Sequence, residues 1–263
     1  MSVRTRVFTA APLIGGFLAA LYLASPAAWI GLTGLVLLLA AWEWAAMAGL
    51  GRLHRFLYAT LLCAASLSVA VARPDMLEPY YPALAFWLVA PFLMAKGVAI
   101  RPRALHLLLG ALVLIPTHLA MVALRADSPE LLLFVVGIVV IADSAAYFSG
   151  RRFGKHKLAP RISPGKTWEG AVGAGLAVTV YGLGVHFLAP ANCGIACLPQ
   201  ILPVLWALFV LSIVGDLFES LLKRQAGIKD SGNLLPGHGG VLDRIDSLTA
   251  VLPAAVLFWM WLK

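Results

Sequence analysis

The sequence predicts an all-α, polytopic integral membrane protein with about nine transmembrane helices and a cytoplasmic N-terminus. Three observations carry this expectation. First, 61% of the 263 residues are hydrophobic, 12% are charged, and the mean hydropathy is +0.91. A soluble domain is nearer half apolar and a quarter charged, so one water-soluble core cannot hold this excess. Second, the apolar residues form long continuous runs, not the alternation of a membrane barrel. In lipid such runs satisfy their backbone as helices. Third, Lys and Arg concentrate in alternate connections between the runs.

The runs lie at 7–24, 28–48, 56–72, 82–100, 104–124, 130–149, 168–189, 200–222 and 248–262. Most approach the roughly 20 residues that a bilayer crossing requires. The first follows Arg4 and Arg6 and ends in LASPAAW, whose proline is poorly placed for cleavage. It is expected to remain as a signal-anchor. Pro91 and Pro116 interrupt the fourth and fifth runs, which makes these the least regular. The ninth is short and is expected to insert only in part. Residues 1–125 form an N-terminal transmembrane region. Residues 126–263 form a C-terminal one, with long polar connections at 150–167 and 223–247.

Placing the N-terminus in the cytoplasm, with one crossing per run, sorts the charge sharply. Of the 20 Lys and Arg, only Arg73, Arg125 and Lys263 then fall on the far side, beside Asp75, Glu78, Asp127 and Glu130. The inverse topology would reverse this bias. Both long polar connections are therefore expected to face the cytoplasm. The net charge of +8 and pI near 9.7 reflect this topology. They do not argue for nucleic acid. Of three cysteines, Cys63 lies in an apolar run and reads as a small core residue. Cys193 and Cys197 share an outward-facing break, where an oxidising compartment would permit a disulfide.

Four acids sit within or at the edge of apolar runs: Glu43, Asp143, Asp216 and Glu219. Each costs about 2.5–3.5 kcal/mol at the centre of a membrane helix and less near its ends. Asp216 and Glu219 share a helix face, and Lys223 extends that face by a further turn. Glu219 and Lys223 have the spacing of an ordinary ion pair. Asp143 and Asp216 have no basic residue within helical reach.

The connection SLLKRQAGIKDSGNLLPGHGGVLDRIDS, 220–247, is the most polar segment of the chain. Its glycines permit a sharp bend, and Asp243 and Asp246 begin the last helix. Helix capping explains one acid. It does not explain Lys229, Asp230, His238 and Arg244 beside them. Carboxylates hold a hard divalent cation, and the cation and basic side chains together offset phosphate charge. The other connection contains GKT at 165–167, but Pro160 stands where a phosphate-binding P-loop needs glycine. What remains is a helix start, SPGKTWEG, that offers Lys166 and backbone amides to an anion.

Ser220, Lys223, Arg224, Lys229, Asp230, Pro236, His238, Gly239, Gly240, Asp243, Arg244 and Asp246 stand in one register. This register resembles the signature of the phosphatidate cytidylyltransferases, the CDP-diacylglycerol synthases. GDLFES, with Asp216 and Glu219, looks like the same family. So, more loosely, does the segment from Asp143 to ISPGKTWEG. There Ser144-Ala145 replaces Thr-Gly, and Gly165 stands where a second Lys is common. The likeness covers the C-terminal half.

The resemblance implies transfer of a cytidylyl group from CTP to phosphatidate at the cytoplasmic face of the inner membrane. It implies Mg2+, with room for a second cation, and it admits a homodimer. Asp216, Asp243 and Asp246 become expected metal ligands, and Asp143 a further candidate. Lys223, Arg224, Lys229 and Arg244 are expected to hold phosphates, with Ser163 and Lys166 helping from the other connection. Asp230, Gly239 and Gly240 complete the expected binding segment. His238 either donates to a phosphate or braces the glycine turn. An ion transporter would instead gather its polar residues near the midplane. A CTP-dependent lipid kinase would release CDP, not pyrophosphate.

The topology gives a direct expectation. A cysteine replacing Arg161 should react with a membrane-impermeant thiol reagent from the cytoplasmic side only, and one replacing Asp75 from the other side only.

Overall fold

The computed structural model describes residues 3–188, 198–234, 237 and 239–262. The His238 expectation and the Cys193–Cys197 pairing lie outside the described residues. The helices, in chain order, are α1 (Val3–Leu23), α2 (Pro26–Met47), α3 (Arg52–Ala72), α4 (Tyr80–Ala95), α5 (Arg103–Asp127) and α6 (Pro129–Phe153). A two-stranded hairpin follows, β1 (Lys157–Ala159) and β2 (Ser163–Thr167), then α7 (Trp168–Leu188), α8 (Leu198–Gln225) and α9 (Leu242–Leu262). Seven helices are long and apolar enough to cross a membrane among the described residues, and α4 and the end of α1 are shorter apolar helices.

Local sequence explains several boundaries. Ser25 and Ser128 cap α2 and α6 by accepting from the N–H of Ala28 and of Leu131, each at 3.2 Å. A proline follows each serine, at a position where its missing N–H costs nothing. Pro91 and Pro116 do not break their helices. Pro91 lies inside α4, which runs for only 16 residues, and Pro116 is buried inside the 25-residue α5.

The ninth helix is longer than its apolar run. That helix begins at Leu242, six residues before the apolar run, and its 21 residues suffice to cross. The polar first turn, with Asp243 and Asp246, had hidden the beginning. The hairpin is the second difference, because three- and five-residue strands carry no periodic signal.

Helix α9 is the hub of the bundle. It packs against α2, α4, α5, α6 and α8, and every residue from Ser247 to Val256 is buried. A helix that is apolar all round belongs in the middle of a membrane bundle. One continuous core joins residues of the N-terminal and C-terminal regions around it.

The described connections alternate between two ends, as single crossings require. At one end, Gln225 donates to the Val98 carbonyl and accepts from the Ile100 N–H, both at 3.0 Å. Arg224 donates to the Ile162 carbonyl at 3.4 Å, and Glu43 reaches Ser231. At the other end, Arg125 donates to the carbonyls of Leu21 and Ala24 at the close of α1, and Trp259 donates to Asp127.

The crossing of α8 over α9 sets the site. A Cβ on Gly215 would lie 2.7 Å from the Asp246 carbonyl oxygen and 3.1 Å from the Ser247 Cα. These are backbone atoms and cannot move aside. Glycine thus lets Asp216 ride directly over the first turns of α9. Gly215→Val should cost roughly 1–3 kcal/mol by overpacking. It should lower the melting temperature in detergent and depress turnover together.

Candidate functional site

The hairpin is fastened before it reaches the cavity. Lys157 pairs with Thr167, and Ala159 with Ser163. Glu169, on the first turn of α7, accepts from the backbone N–H of Lys155 (3.1 Å) and His156 (3.2 Å) and pairs with the His156 ring at 2.6 Å. Buried Thr167 accepts from the Gly170 N–H at 3.1 Å. The strand between these anchors carries Ser163 and Lys166 over the ends of α6, α8 and α9.

Beneath it lies a cavity of about 580 Å³. Asp143 on α6, Asp216 on α8, and Asp243, Arg244 and Asp246 on α9 line it, with Ser163 and Lys166 from the hairpin. Arg151 and Lys157 add positive charge at its rim, and Ala142, Ala146, Phe209 and Ile213 supply an apolar wall. Expectations from both polar connections thus meet in one space. The size suits a substantial ligand.

The carboxylates are not equivalent. Asp216 accepts from Ser220 at 3.2 Å on one oxygen and pairs with Lys166 at 2.6 Å on the other. Asp246 accepts from the Ser247 N–H at 2.7 Å. It lies within electrostatic reach of Asp216, Glu219 and Asp143. Asp243 is fully engaged. One oxygen accepts from Lys223 at 2.6 Å, and the other from the backbone N–H of Ser231 (2.9 Å) and Gly240 (2.8 Å).

Lys223 is buried and shared, pairing with Glu219 one turn back on α8 as well as with Asp243. The expected Glu219–Lys223 pair is therefore present.

Other expected residues stand apart from the cavity wall. Arg224 reaches back to the hairpin through Ile162, and Lys229 and Asp230 are exposed on the connection. Gly239 has φ +81°, which a side chain resists, and it packs against Asp243. With Gly240, it shapes the turn.

Sequence reasoning left two contributions unassigned. Arg151 and Lys157 belong to the polar connection at 150–167, but their facing could not be read without the hairpin. Glu43 was marked by the cost of a buried acid, yet its partners lie 188 and more positions away.

Oxygen donors on three separate helices are the right chemistry for a hard divalent cation. Asp143, Asp216 and Asp246 face one space, and their mutual repulsion favours a cation among them. Among the described residues, no three His, Cys, Asp or Glu side chains are disposed to hold a metal ion as they stand. Lys166 now offsets Asp216 and would have to withdraw for an ion to bind there.

The fold and this cavity define an integral membrane protein with a polar, anion-compatible site at one end of its helices. The chain belongs to the cytidylyltransferase family, whose profile matches residues 4–262. It is 42% identical over 267 positions to the phosphatidate cytidylyltransferase of Pseudomonas aeruginosa, covering 98% of this chain and 97% of the relative. It is 36% identical over 286 positions to that of Haemophilus influenzae, covering 98% and 99%. The phosphatidate cytidylyltransferase of Thermotoga maritima is 41% identical over 135 positions, about half of each chain.

Asp243→Asn keeps the shape of the side chain and removes its charge from Lys223. Turnover should fall on the order of 100-fold or more, because Lys223 loses a buried partner and the start of α9 loses the charge that holds it. The variant should remain monodisperse in detergent. Near-normal turnover would remove the Asp243 charge from the working site.

Proposed function

We propose that this protein transfers the cytidylyl group of CTP to phosphatidate, releasing pyrophosphate and forming CDP-diacylglycerol. The observation that carries this reading is the likeness, over nearly the whole chain, to relatives bearing that activity in their names. The cavity supports it. It joins a basic rim to acidic helix ends and an apolar wall, matching a polyanionic nucleotide and a lipid with an anionic head.

In the reaction, a phosphate oxygen of phosphatidate attacks the α-phosphorus of CTP. The new P–O bond replaces the bond to pyrophosphate, which leaves with its electron pair. A phosphomonoester has a second pKa of about 6 and is largely ionised at neutral pH. No strong general base is needed. The obstacle is the approach of two anions, which positioned cations overcome.

Lys166 and Lys157 act as point charges on the triphosphate, while Arg151 and Arg244 can grip phosphate oxygens in pairs. Ser163 orients one of these oxygens by donating its hydroxyl. Lys223 works through Asp243, and Arg224 through the hairpin. Asp216 and Asp246, with Asp143, would hold Mg2+, with a second cation accommodated by the same set. When bound, the metal offsets charge on the triphosphate and the pyrophosphate leaving group. Asp243, whose oxygens are already occupied, holds the connection in shape. The apolar wall faces the glycerol and the first carbons of the acyl chains.

The site faces the cytoplasm, where CTP is supplied, and the protein lies in the bacterial inner membrane, as a homodimer. Nucleic acid plays no part. The test is turnover by purified protein given CTP, Mg2+ and phosphatidate in mixed micelles. One pyrophosphate should appear per CDP-diacylglycerol. Release of CDP with a phosphorylated lipid would contradict the reading.

A further inference from the structure

We infer that Glu43, on α2 in the N-terminal region, is a positioning residue that holds the reacting turn of α9 in place. Its side chain is buried, with 2% of the residue exposed, and it accepts three hydrogen bonds. The donors are the Ser231 hydroxyl (2.9 Å), the Val241 N–H (3.0 Å) and the Leu242 N–H (2.8 Å). The last two amides stand at the start of α9, Val241 just before it and Leu242 as its first residue, where N–H groups have no partner within the helix. Glu43 therefore caps α9 from a different helix. Its negative charge also sits at the positive end of the α9 dipole.

The residue is joined to the cavity through two short routes. Leu242 precedes Asp243, so the amide held by Glu43 is one peptide from a cavity carboxylate. Ser231 makes the second route. Its hydroxyl donates to Glu43, while its N–H donates to Asp243 at 2.9 Å. Both ends of the connection are thereby pinned between two carboxylates, one from each half of the chain. Asp243 and Asp246 project from the turn that this clamp fixes.

Two glycines make the clamp sterically open. A Cβ on Gly240 would collide with Ser231 and the Glu43 carboxylate, and one on Gly232 with Glu43 alone. Gly240 does not have a positive φ, so its small size serves close approach and not an unusual backbone. Gly240 thus answers to a side chain on α2.

The chemistry of the clamp demands a carboxylate of this length. All three partners are donors, and an ionised carboxylate accepts on both oxygens. Glutamine would turn an N–H2 toward a donor. Aspartate would fall short by one methylene.

The test compares wild type, Glu43→Gln, Glu43→Asp, Ser231→Ala and the double variant Glu43→Gln with Ser231→Ala, using full-length purified protein in micelles. Kinetics with CTP, Mg2+ and phosphatidate are measured with amide hydrogen exchange over 231–247. Glu43→Gln should lower kcat at least tenfold and change KM for CTP less than threefold. It should also speed exchange in 231–242, with α5 and α8 still protected. Glu43→Asp should not restore kcat. Ser231→Ala, a milder lesion that leaves the Val241 and Leu242 bonds, should lower kcat about threefold. Its effect should largely vanish in the Glu43→Gln background.

The inference rests on the proposed reaction for its kinetic arm alone. A wild type without pyrophosphate release would overturn that reaction, while exchange would still decide whether the clamp exists. Unchanged exchange in both Glu43→Gln and Ser231→Ala would overturn the clamp. Faster exchange with normal kcat would overturn its role in positioning, as would general loss of protection throughout the bundle in Glu43→Gln together with normal turnover in Ser231→Ala.

Discussion

A carboxylate placed within a membrane bundle must find donors, and that constraint organises this protein. Leaving an ionised group unpaired away from water costs far more than any single packing contact gains. Glu43 and Asp243 meet the constraint with backbone amides of the connection between α8 and α9. Lys223, held between Glu219 and Asp243, completes the arrangement. A 16-residue link between membrane helices (226–241) would otherwise have little to order it. Here the charges that are expensive in hydrocarbon become the staples of the link. Their pairing at one end of the helices also leaves a neighbouring space where acids and bases are only partly neutralised.

This division between braced and available charge separates structure from chemistry. Asp243 has both oxygens engaged, whereas Asp216 exchanges one contact with the side chain of a hairpin lysine. Lys166 and Asp216 are each about a quarter exposed, so their contact can be broken without opening the core. In the proposed reaction, a ligand phosphate that drew Lys166 away would leave Asp216 available to a cation. The hairpin anchored by Glu169 and Thr167 supplies the rigid base from which Lys166 acts. The mechanism therefore asks for small side-chain shifts on a fixed scaffold, which suits a bundle centred on a helix as buried as α9.

Much of this was legible in the sequence because lipid imposes simple rules. Continuous apolar runs, and the confinement of basic residues to alternate connections, gave the helices and their alternation. Asp216 stood out because an acid in an apolar run is expensive, and Asp243, Asp246 and Lys166 because they stand in the two long polar connections; the structure places all four around one cavity. What escaped had no local signature. The hairpin is too short for a period. The α9 boundary was masked by the very acids that belong to the site. The hydrogen bonds of Asp243 reach Ser231 and Gly240, and those of Glu43 reach residues almost 200 positions away. Spacing along one helix could identify the Glu219–Lys223 pair, but not the third partner from α9.

The proposed reaction requires the triphosphate to bind between the hairpin and the first turns of α9. Hydrogen exchange with and without CTP and Mg2+ tests it most directly. Exchange should slow in both Ser163–Thr167 and Leu242–Ser247, with no change at the end where Arg125 meets α1. Protection confined to that opposite end, or to neither segment at saturating nucleotide, would contradict it.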